Sequence, residues 1–295
     1  MRMLVAGGQG QVGSALAQMG KEQSLDLIAL GRSDLDITDA ASISAAFEKY
    51  QPELLINAAA YTAVDKAESE ADLAYAINET AAALLADACA DANIPMLHIS
   101  TDYVFDGSKE GLYTEDDPVN PLAVYAKSKE AGERAVRVRG ERHIILRTSW
   151  VFGVEGNNFV KTMVRLAKDR DRLTVVADQF GGPSSACGIA EALLTIAAQY
   201  EKTGSVAWGT YHYCQKPYVS WHQFAEVIIE RAIKMGLVDH QVEVAPIPSS
   251  EFSTLVKRPA NSRLETTKYD NHFVPTVATW EADIEIVLKS LKEKI

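Results

Sequence analysis

The sequence predicts an α/β fold, in which a doubly wound parallel sheet is followed by a smaller C-terminal α/β region. Three observations carry that expectation. Short apolar runs alternate with longer amphipathic stretches through the first half of the chain. A cluster of glycines follows directly on the first run. Pro52 and Pro95 stand just before the third and fourth runs, where a helix must already have ended.

The runs are Met3–Ala6, Leu25–Leu30, Leu54–Ala58, Met96–Ser100 and Ile144–Arg147, each four to six residues long. That is the length of a buried strand. Between them, Gln11–Met19, Ala40–Lys49, Leu73–Ala92 and Val124–Arg137 read as helices. Such alternation makes right-handed βαβ units and a parallel sheet covered on both faces. The pattern loosens after Trp150. Helix-like stretches at Phe159–Lys168, Ile189–Tyr200, Trp221–Met235 and Trp280–Leu291 are split by loops containing Pro and Gly. Strand-like fragments fall at Leu173–Val176, Tyr211–Cys214 and Val242–Val244.

The first glycines give the sheet a purpose. Gly7, Gly10 and Gly13 follow the first run and open the first helix, and Gly8, Gly10 and Gly13 also satisfy G-x-G-x-x-G. Glycines there allow a tight turn and close approach to a pyrophosphate, and the helix N-terminus offers that anion free N–H groups. Gln11 and Val12, at the head of the helix, are counted with this cofactor loop. The fold is therefore expected to be Rossmann-like. Residues 1–150 form its dinucleotide-binding part and 151–295 the substrate region, with a strand near 211–214 free to rejoin the first sheet. After the second run, Gly31 stands where an acid would bind the 2′-hydroxyl of NAD. Arg32 instead offers a guanidinium to the 2′-phosphate of NADP. NADPH is the expected cofactor, with NADH left open.

Composition bounds the partners. With 295 residues, 47% hydrophobic and 23% charged, the chain can bury a sizeable core without staples. A net charge of -11 argues against nucleic acid and membrane surfaces, though not against an anion in a locally positive pocket. No run approaches the ~18 apolar residues of a membrane span. The apolar stretch before the first glycines is too short for a signal peptide. Cys89, Cys187 and Cys214 are odd in number and widely spaced, so they read as small apolar fillers in a reducing cytoplasm. The six histidines show no metal-ligand spacing, so no catalytic metal is expected, and His98 reads as a core histidine with its hydrogen bonds satisfied.

Tyr125 and Lys129 are four residues apart, which on a helix puts them on one face. An ammonium beside a phenol is expected to lower its pKa, so that the tyrosine can hand a proton to a carbonyl oxygen. Thr101 ends the fourth run, at the carboxyl edge where open α/β sheets bind ligands. The small residues Ala58, Ala59 and Ala60 after Asn57 let a dinucleotide lie close.

Together the glycine loop, the N-A-A-A stretch and the Thr101–Tyr125–Lys129 set resemble the extended short-chain dehydrogenase/reductase family over nearly the whole chain. Longer segments narrow the likeness: NAAAYTAVDKAE (Asn57–Glu68), STDYVFDG (Ser100–Gly107), RTSWVFG (Arg147–Gly153), GNNFVKTM (Gly156–Met163), DQFGGPS (Asp178–Ser184) and RPANSRL (Arg258–Leu264). They are similar to the branch that reduces dTDP-6-deoxy-L-lyxo-4-hexulose to dTDP-L-rhamnose. The resemblance implies a dTDP-sugar substrate and leaves a homodimer open. It makes Tyr125 the acid and Lys129 its partner, which also holds the nicotinamide ribose. It has Thr101 and Asp102 meet the sugar, Trp150 pack on it, and Thr62, Val64 and Glu68 lie beside the site. Arg258 would face the diphosphate, and Asp36 and Ile37 would lie near the adenine. Two other readings share the scaffold. One is a sugar-nucleotide epimerase or 4,6-dehydratase that recycles NAD. The other is a non-catalytic regulatory subunit resembling that of methionine adenosyltransferase. Dehydratases of the family follow the strand-end hydroxyl with Asp and Glu. Here Asp102 is followed by Tyr103, and a phenol of pKa ~10 is a poor base at neutral pH.

Overall fold

The computed structural model describes residues 1–273 and 279–293. The first half runs β1 (Met3–Ala6), α1 (Gln11–Glu22), β2 (Leu27–Leu30), α2 (Ala40–Tyr50), β3 (Leu54–Asn57), α3 (Ala71–Tyr75), α4 (Ala81–Asp91), β4 (Met96–Thr101), α5 (Val124–Arg139) and β5 (His143–Thr148). It continues through β6 (Val151–Phe152), α6 (Phe159–Ala167), β7 (Arg172–Val176), β8 (Phe180–Gly181), β9 (Ser184–Ser185), α7 (Ala186–Thr203) and β10 (Gly209–His212). The chain ends with β11 (Val219–Ser220), α8 (Trp221–Lys234), β12 (Glu243–Ile247), β13 (Asn261–Ser262), α9 (Thr267–His272) and α10 (Trp280–Glu293). No described helix is long and apolar enough to cross a membrane.

Six strands form one sheet in the order β2-β1-β3-β4-β5-β10, with every neighbouring pair parallel. The order reverses between β1 and β3, which makes that point the crevice where such sheets take ligands. Successive side chains on each strand face opposite layers. Met3 and Val5 of β1 pack with Leu16 and Leu193 on the α1–α7 side. Leu4 and Ala6 pack with Ile43 and Leu85 on the α2–α4 side. Both faces being covered, the strands read as unbroken apolar runs.

A second core gathers Phe152, Val164, Leu173, Phe224, Ile228 and Trp280. Here β7 pairs in parallel with β12, and β8 lies between β11 and β13. The expected partition at residue 150 is cut across. The inner faces of α7, β10 and α9 carry Ile189, Tyr211 and Tyr269, which complete the first core although they follow Trp150. The fragment expected at Tyr211–Cys214 is the strand Gly209–His212, set by the pairing of Gly209 with Ile144, and Cys214 turns into a separate small cluster.

The helix expected at Leu73–Ala92 is interrupted by a π-helical turn over Ala76–Thr80. Asn78 in that turn is buried. Its side chain accepts from Tyr61 N–H (2.9 Å) and donates to the Tyr61 carbonyl (3.1 Å) and to Ser128 Oγ (2.9 Å) on α5. The backbones come equally close: a Cβ at Gly132 of α5 would stand 2.0 Å from the Asn78 carbonyl oxygen. Gly132→Ala should therefore lower stability by ~1–3 kcal/mol, the usual cost of overpacking. Gly140→Ala, at a site with nothing within 4 Å, should stay within ~0.5 kcal/mol of wild type. Equal urea midpoints for the two variants would show that α5 is free to shift.

Candidate active site

Gly7 has φ +83°, and a Cβ on it would stand 2.6 Å from the Ala59 nitrogen. A Cβ on Gly13 would stand 2.1 Å from the Gly7 oxygen. The loop after β1 thus folds against itself and against the chain leaving β3 in a way open only to glycine. Gly10 gives α1 no side-chain cap, so the first N–H groups of the helix are available to an anion. A cavity of about 370 Å³ opens at this point. It is lined by Gly7, Gln9, Gly10, Arg32, Asp36 and Ile37, by Ala58, Ala59 and Ala60, and by an apolar wall of Leu73 and Ile77. Arg32 is exposed at its rim. Asp36 accepts from Thr38 N–H (2.9 Å) and hydroxyl (2.6 Å), and these bonds, with the charge of Arg32, hold its carboxyl below the usual range. A cradle that any Cβ would fill, an uncapped helix end and a cation beyond β2 fit a phosphorylated dinucleotide.

The next crevice along the sheet edge holds Thr101, Tyr125 and Lys129. α5 begins without a side-chain cap from Ala123, and Glu68 Oε1 accepts instead from Val124 N–H (2.9 Å). One turn in, Tyr125 and Lys129 are both buried. Lys129 Nζ donates to the Ile99 carbonyl on β4 (2.8 Å). The Thr101 hydroxyl donates to Asp102 Oδ1 (3.0 Å) and accepts from Tyr103 N–H (3.2 Å). Burial pushes Asp102 up to about 6. Burial brings Lys129 down to about 8, opposed by the carboxylate of Glu133. The expected lowering of Tyr125 by Lys129 is absent. Burial raises the phenol, the Thr101 hydroxyl opposes that rise, and the ammonium is turned to the Ile99 carbonyl.

Tyr103 joins this crevice to a second cavity. Its ring meets Tyr125 edge-on at 5.7 Å, and its hydroxyl accepts from Arg258 Nη1 (3.1 Å). Arg258 Nη2 donates to Asp65 Oδ2 (2.7 Å). Beyond lies a cavity of about 620 Å³ with Phe159, Trp221 and Phe252 as aromatic walls, Gln179 as a polar side chain, and the cations Lys257 and Arg258. Trp150 stands behind that wall. It stacks on Trp221 at 3.6 Å and 11°, and a Cβ on Gly181 would stand 2.5 Å from its indole. Trp150 holds this place in a left-handed backbone conformation, φ +49°, which is strained for a bulky residue.

The family model described as the RmlD substrate binding domain matches residues 1–293. The chain belongs to this family. It is 44% identical to a dTDP-4-dehydrorhamnose reductase of Aggregatibacter actinomycetemcomitans, over 95% of this chain and 96% of the relative. The crystal structure of a dTDP-4-dehydrorhamnose reductase of Clostridium acetobutylicum matches with TM-score 0.88 at 35% identity, over 99% of this chain and 100% of the other. A dTDP-4-dehydrorhamnose reductase of Bacillus anthracis, solved in complex with NADP, matches with TM-score 0.86 at 34% identity, over 98% of each chain.

Set against that family, the residues singled out in the sequence fall into three groups. Gly7, Gly10, Arg32, Asp36, Ile37, Ala58, Ala59 and Ala60 line the first cavity. Gln11 accepts from Asn158 Nδ2 (3.0 Å), Gly13 lies under Gly7, and Val12 is buried in the first core. Thr101, Asp102, Tyr125 and Lys129 meet at the carboxyl edge of β4, where Val64 packs beside Tyr125. Arg258 lines the second cavity, Trp150 backs it, Thr62 is exposed, and Glu68 is spent on the head of α5. His98 is buried, but only its Nδ1 is bonded, to Asn57 Nδ2 (3.1 Å), and Nε2 has no partner among the described residues. No group of three His, Cys, Asp or Glu among the described residues could hold a metal. Sequence reasoning missed Phe159, Gln179 and Trp221. The first two stand in GNNFVKTM and DQFGGPS, whose pattern was visible without a role for either; Trp221 carries no such signal.

Behind the site lies a buried ionic cluster. Arg147 on β5 donates to both oxygens of Glu133 on α5 (Nε 2.8 Å, Nη2 2.7 Å), and its Nη1 lies 3.4 Å from His212 Nε2. Because Arg147 can only donate, the proton of His212 is on Nδ1, which donates to the Tyr113 carbonyl (3.0 Å). Burial and the charge of Arg147 bring His212 down to about 3. Folding thus keeps this imidazole neutral, whereas the unfolded chain protonates it near ~6.5. The stability it contributes is present above that value and is lost as pH falls toward 3. Urea midpoints should fall between pH 6.5 and 4, and His212→Gln should flatten that fall. A variant as acid-sensitive as wild type would remove His212 from the account.

Proposed function

We propose that the chain catalyses the NADPH-dependent reduction of the 4-keto group of dTDP-4-dehydro-6-deoxy-L-mannose, giving dTDP-L-rhamnose, the last step of that sugar nucleotide's synthesis. One observation carries the reading: Tyr125, Thr101 and Lys129 gather at β4, with Tyr103 linking Tyr125 to the aromatic cavity and its two cations, and with Ala58, Ala59 and Ala60, after the neighbouring β3, lining the glycine-cradled cavity. The 4-keto sugar would lie where these meet. When bound, the reduced nicotinamide would supply the hydride, two electrons with one hydrogen, that C4 of the sugar gains. Tyr125, which burial keeps protonated, gives its proton to the keto oxygen. The Thr101 hydroxyl orients the same oxygen, with Asp102 beside it to meet the sugar. Lys129 holds the nicotinamide ribose.

The second cavity suits the nucleotide half of the substrate. Phe159 and Trp221 offer faces on which a planar base stacks. Arg258 would exchange Asp65 for the diphosphate, since charged hydrogen bonds to phosphate suit a guanidinium. Trp150 would act through Trp221 rather than on the sugar. Tyr103, in place of a second acid, is tied to Arg258 and raised by burial, which disfavours elimination. The cytoplasm is the proposed compartment.

Purified protein mixed with NADPH and the keto sugar nucleotide should oxidise one NADPH per product and leave dTDP-glucose untouched. Turnover of dTDP-glucose with no net cofactor change would favour the dehydratase. Binding of NADP with no turnover of either sugar would favour the regulatory subunit. Tyr125→Phe keeps the ring and should cost ~10²-fold or more in kcat with cofactor affinity little changed; wild-type turnover would remove Tyr125 from the chemistry. Arg32→Ala should weaken NADPH, but not NADH, by ~1.5–3 kcal/mol, the value of a hydrogen bond to a charged group. Equal losses for the two cofactors would show that Arg32 does not read the 2′-phosphate.

A further inference from the structure

Lys129 is 2% exposed, and the polar contact of its ammonium is the Ile99 carbonyl. A carbonyl dipole does not neutralise a charge, and a lysine so buried tends to give up its proton. The helix provides an anion one turn further on. Glu133 is i+4 from Lys129 on α5 and fully buried. Its carboxylate accepts three bonds, two from Arg147 and one from Arg137 Nη1 (2.9 Å). Arg137 is shared in turn with Glu130 (3.6 Å), which also meets Arg134 (3.9 Å). Burial by itself would raise Glu133, but Arg147, followed by Ser100 and Arg137, outweighs it and brings it down to about 2, so it is an anion at any working pH.

Among the other charged groups packed around α5, none serves Lys129 in this way. His98 faces it from β4 and is kept neutral by burial and by the ammonium itself. Asp102 and Tyr103, in the turn after β4, act on Tyr125. Glu68 is engaged with the first N–H of the helix. His212, beyond Arg147, is neutral. Among the described residues, Glu133 is the carboxylate that opposes the loss of the Lys129 charge. A purely structural link between α5 and β5 needs no ions, because apolar residues of similar volume commonly serve as well.

We propose that Glu133, clamped by Arg147, is a positioning residue of the active site that keeps Lys129 a protonated ammonium aimed at the cofactor ribose. The role at the ribose rests on the reductase reading; the coupling of Glu133 to Lys129 does not. Protein carrying [ε-13C]lysine, with the Lys129 signal assigned by its loss in Lys129→Arg, reports the titration of this group directly. In Glu133→Gln the Lys129 midpoint should fall by ~1 pH unit or more, as loss of a close opposite charge predicts. The alkaline limb of kcat/KM for NADPH oxidation should move down with it. Glu133→Gln leaves Arg147 buried without its anion, and that variant risks misfolding. The double variant Glu133→Gln/Arg147→Gln removes both charges and should still lower the Lys129 midpoint, because the carboxylate is the member of the pair carried one turn from Lys129 on α5, whereas Arg147 stands on β5. Glu133→Asp, which keeps the charge, should restore the midpoint toward wild type. A folded double variant whose Lys129 titrates as in wild type would overturn the proposal. If wild-type protein oxidises no NADPH with the keto sugar, the reductase reading falls, while the lysine titration still decides the role of Glu133.

Discussion

The carbonyl of Asn78 leaves no room for a side chain at Gly132, and the placing of α5 depends on that contact. A helix seated so close to the π-turn has both its reactive side chains buried, and it brings Tyr125 up to the end of β4 beside Thr101. The same seating lets Asn78 reach Ser128, which lies between Tyr125 and Lys129 in the chain and donates to the Tyr125 carbonyl (2.8 Å). Backbone packing therefore sets the geometry of the reacting groups. A π-turn in the middle of a helix is costly for its own hydrogen bonds, and such turns are frequent where a function is served.

Burial has an opposite consequence for each group in the crevice. It raises Tyr125 and Asp102 and lowers Lys129, so every one of them is pushed toward its uncharged form. Charge is retained on Lys129 where the fold provides a counter-ion, and a proton is retained on Tyr125 where it does not. The two flanking cavities divide the remaining work. One offers backbone N–H groups and a cation for a phosphorylated dinucleotide, and the other offers aromatic faces and two cations for an anionic planar ligand.

Much of this was legible in the chain, for identifiable reasons. The strands of the first sheet are covered on both faces, so they stand out as apolar runs. The glycine loop is legible because Gly7 and Gly13 tolerate no side chain, and the Tyr125–Lys129 spacing because a helix of known period carries it. What depends on distant contacts was not legible. The π-turn follows from the meeting of Asn78 with Tyr61 and Ser128, 17 and 50 residues away along the chain. The return of α7, β10 and α9 to the first core follows from shape rather than from local pattern. Trp150 was read as a face for the sugar, and its stacking on Trp221, 71 positions later in the sequence, could not be seen from spacing. The raised pKa of Tyr125 was missed because spacing conveys the charge nearby but not the desolvation around it.

The central claim, direct reduction of the sugar at C4, is tested most directly by following the transferred hydrogen. NADPH carrying deuterium at both hydrogens of the nicotinamide 4-position, incubated with the protein and the 4-keto sugar nucleotide, should leave one deuterium bonded to C4 of the product sugar. One deuterium should appear for each NADPH consumed, and none should appear at C5 or C6. Product that carries no deuterium at C4, or that forms while NADPH is unchanged, would contradict the account.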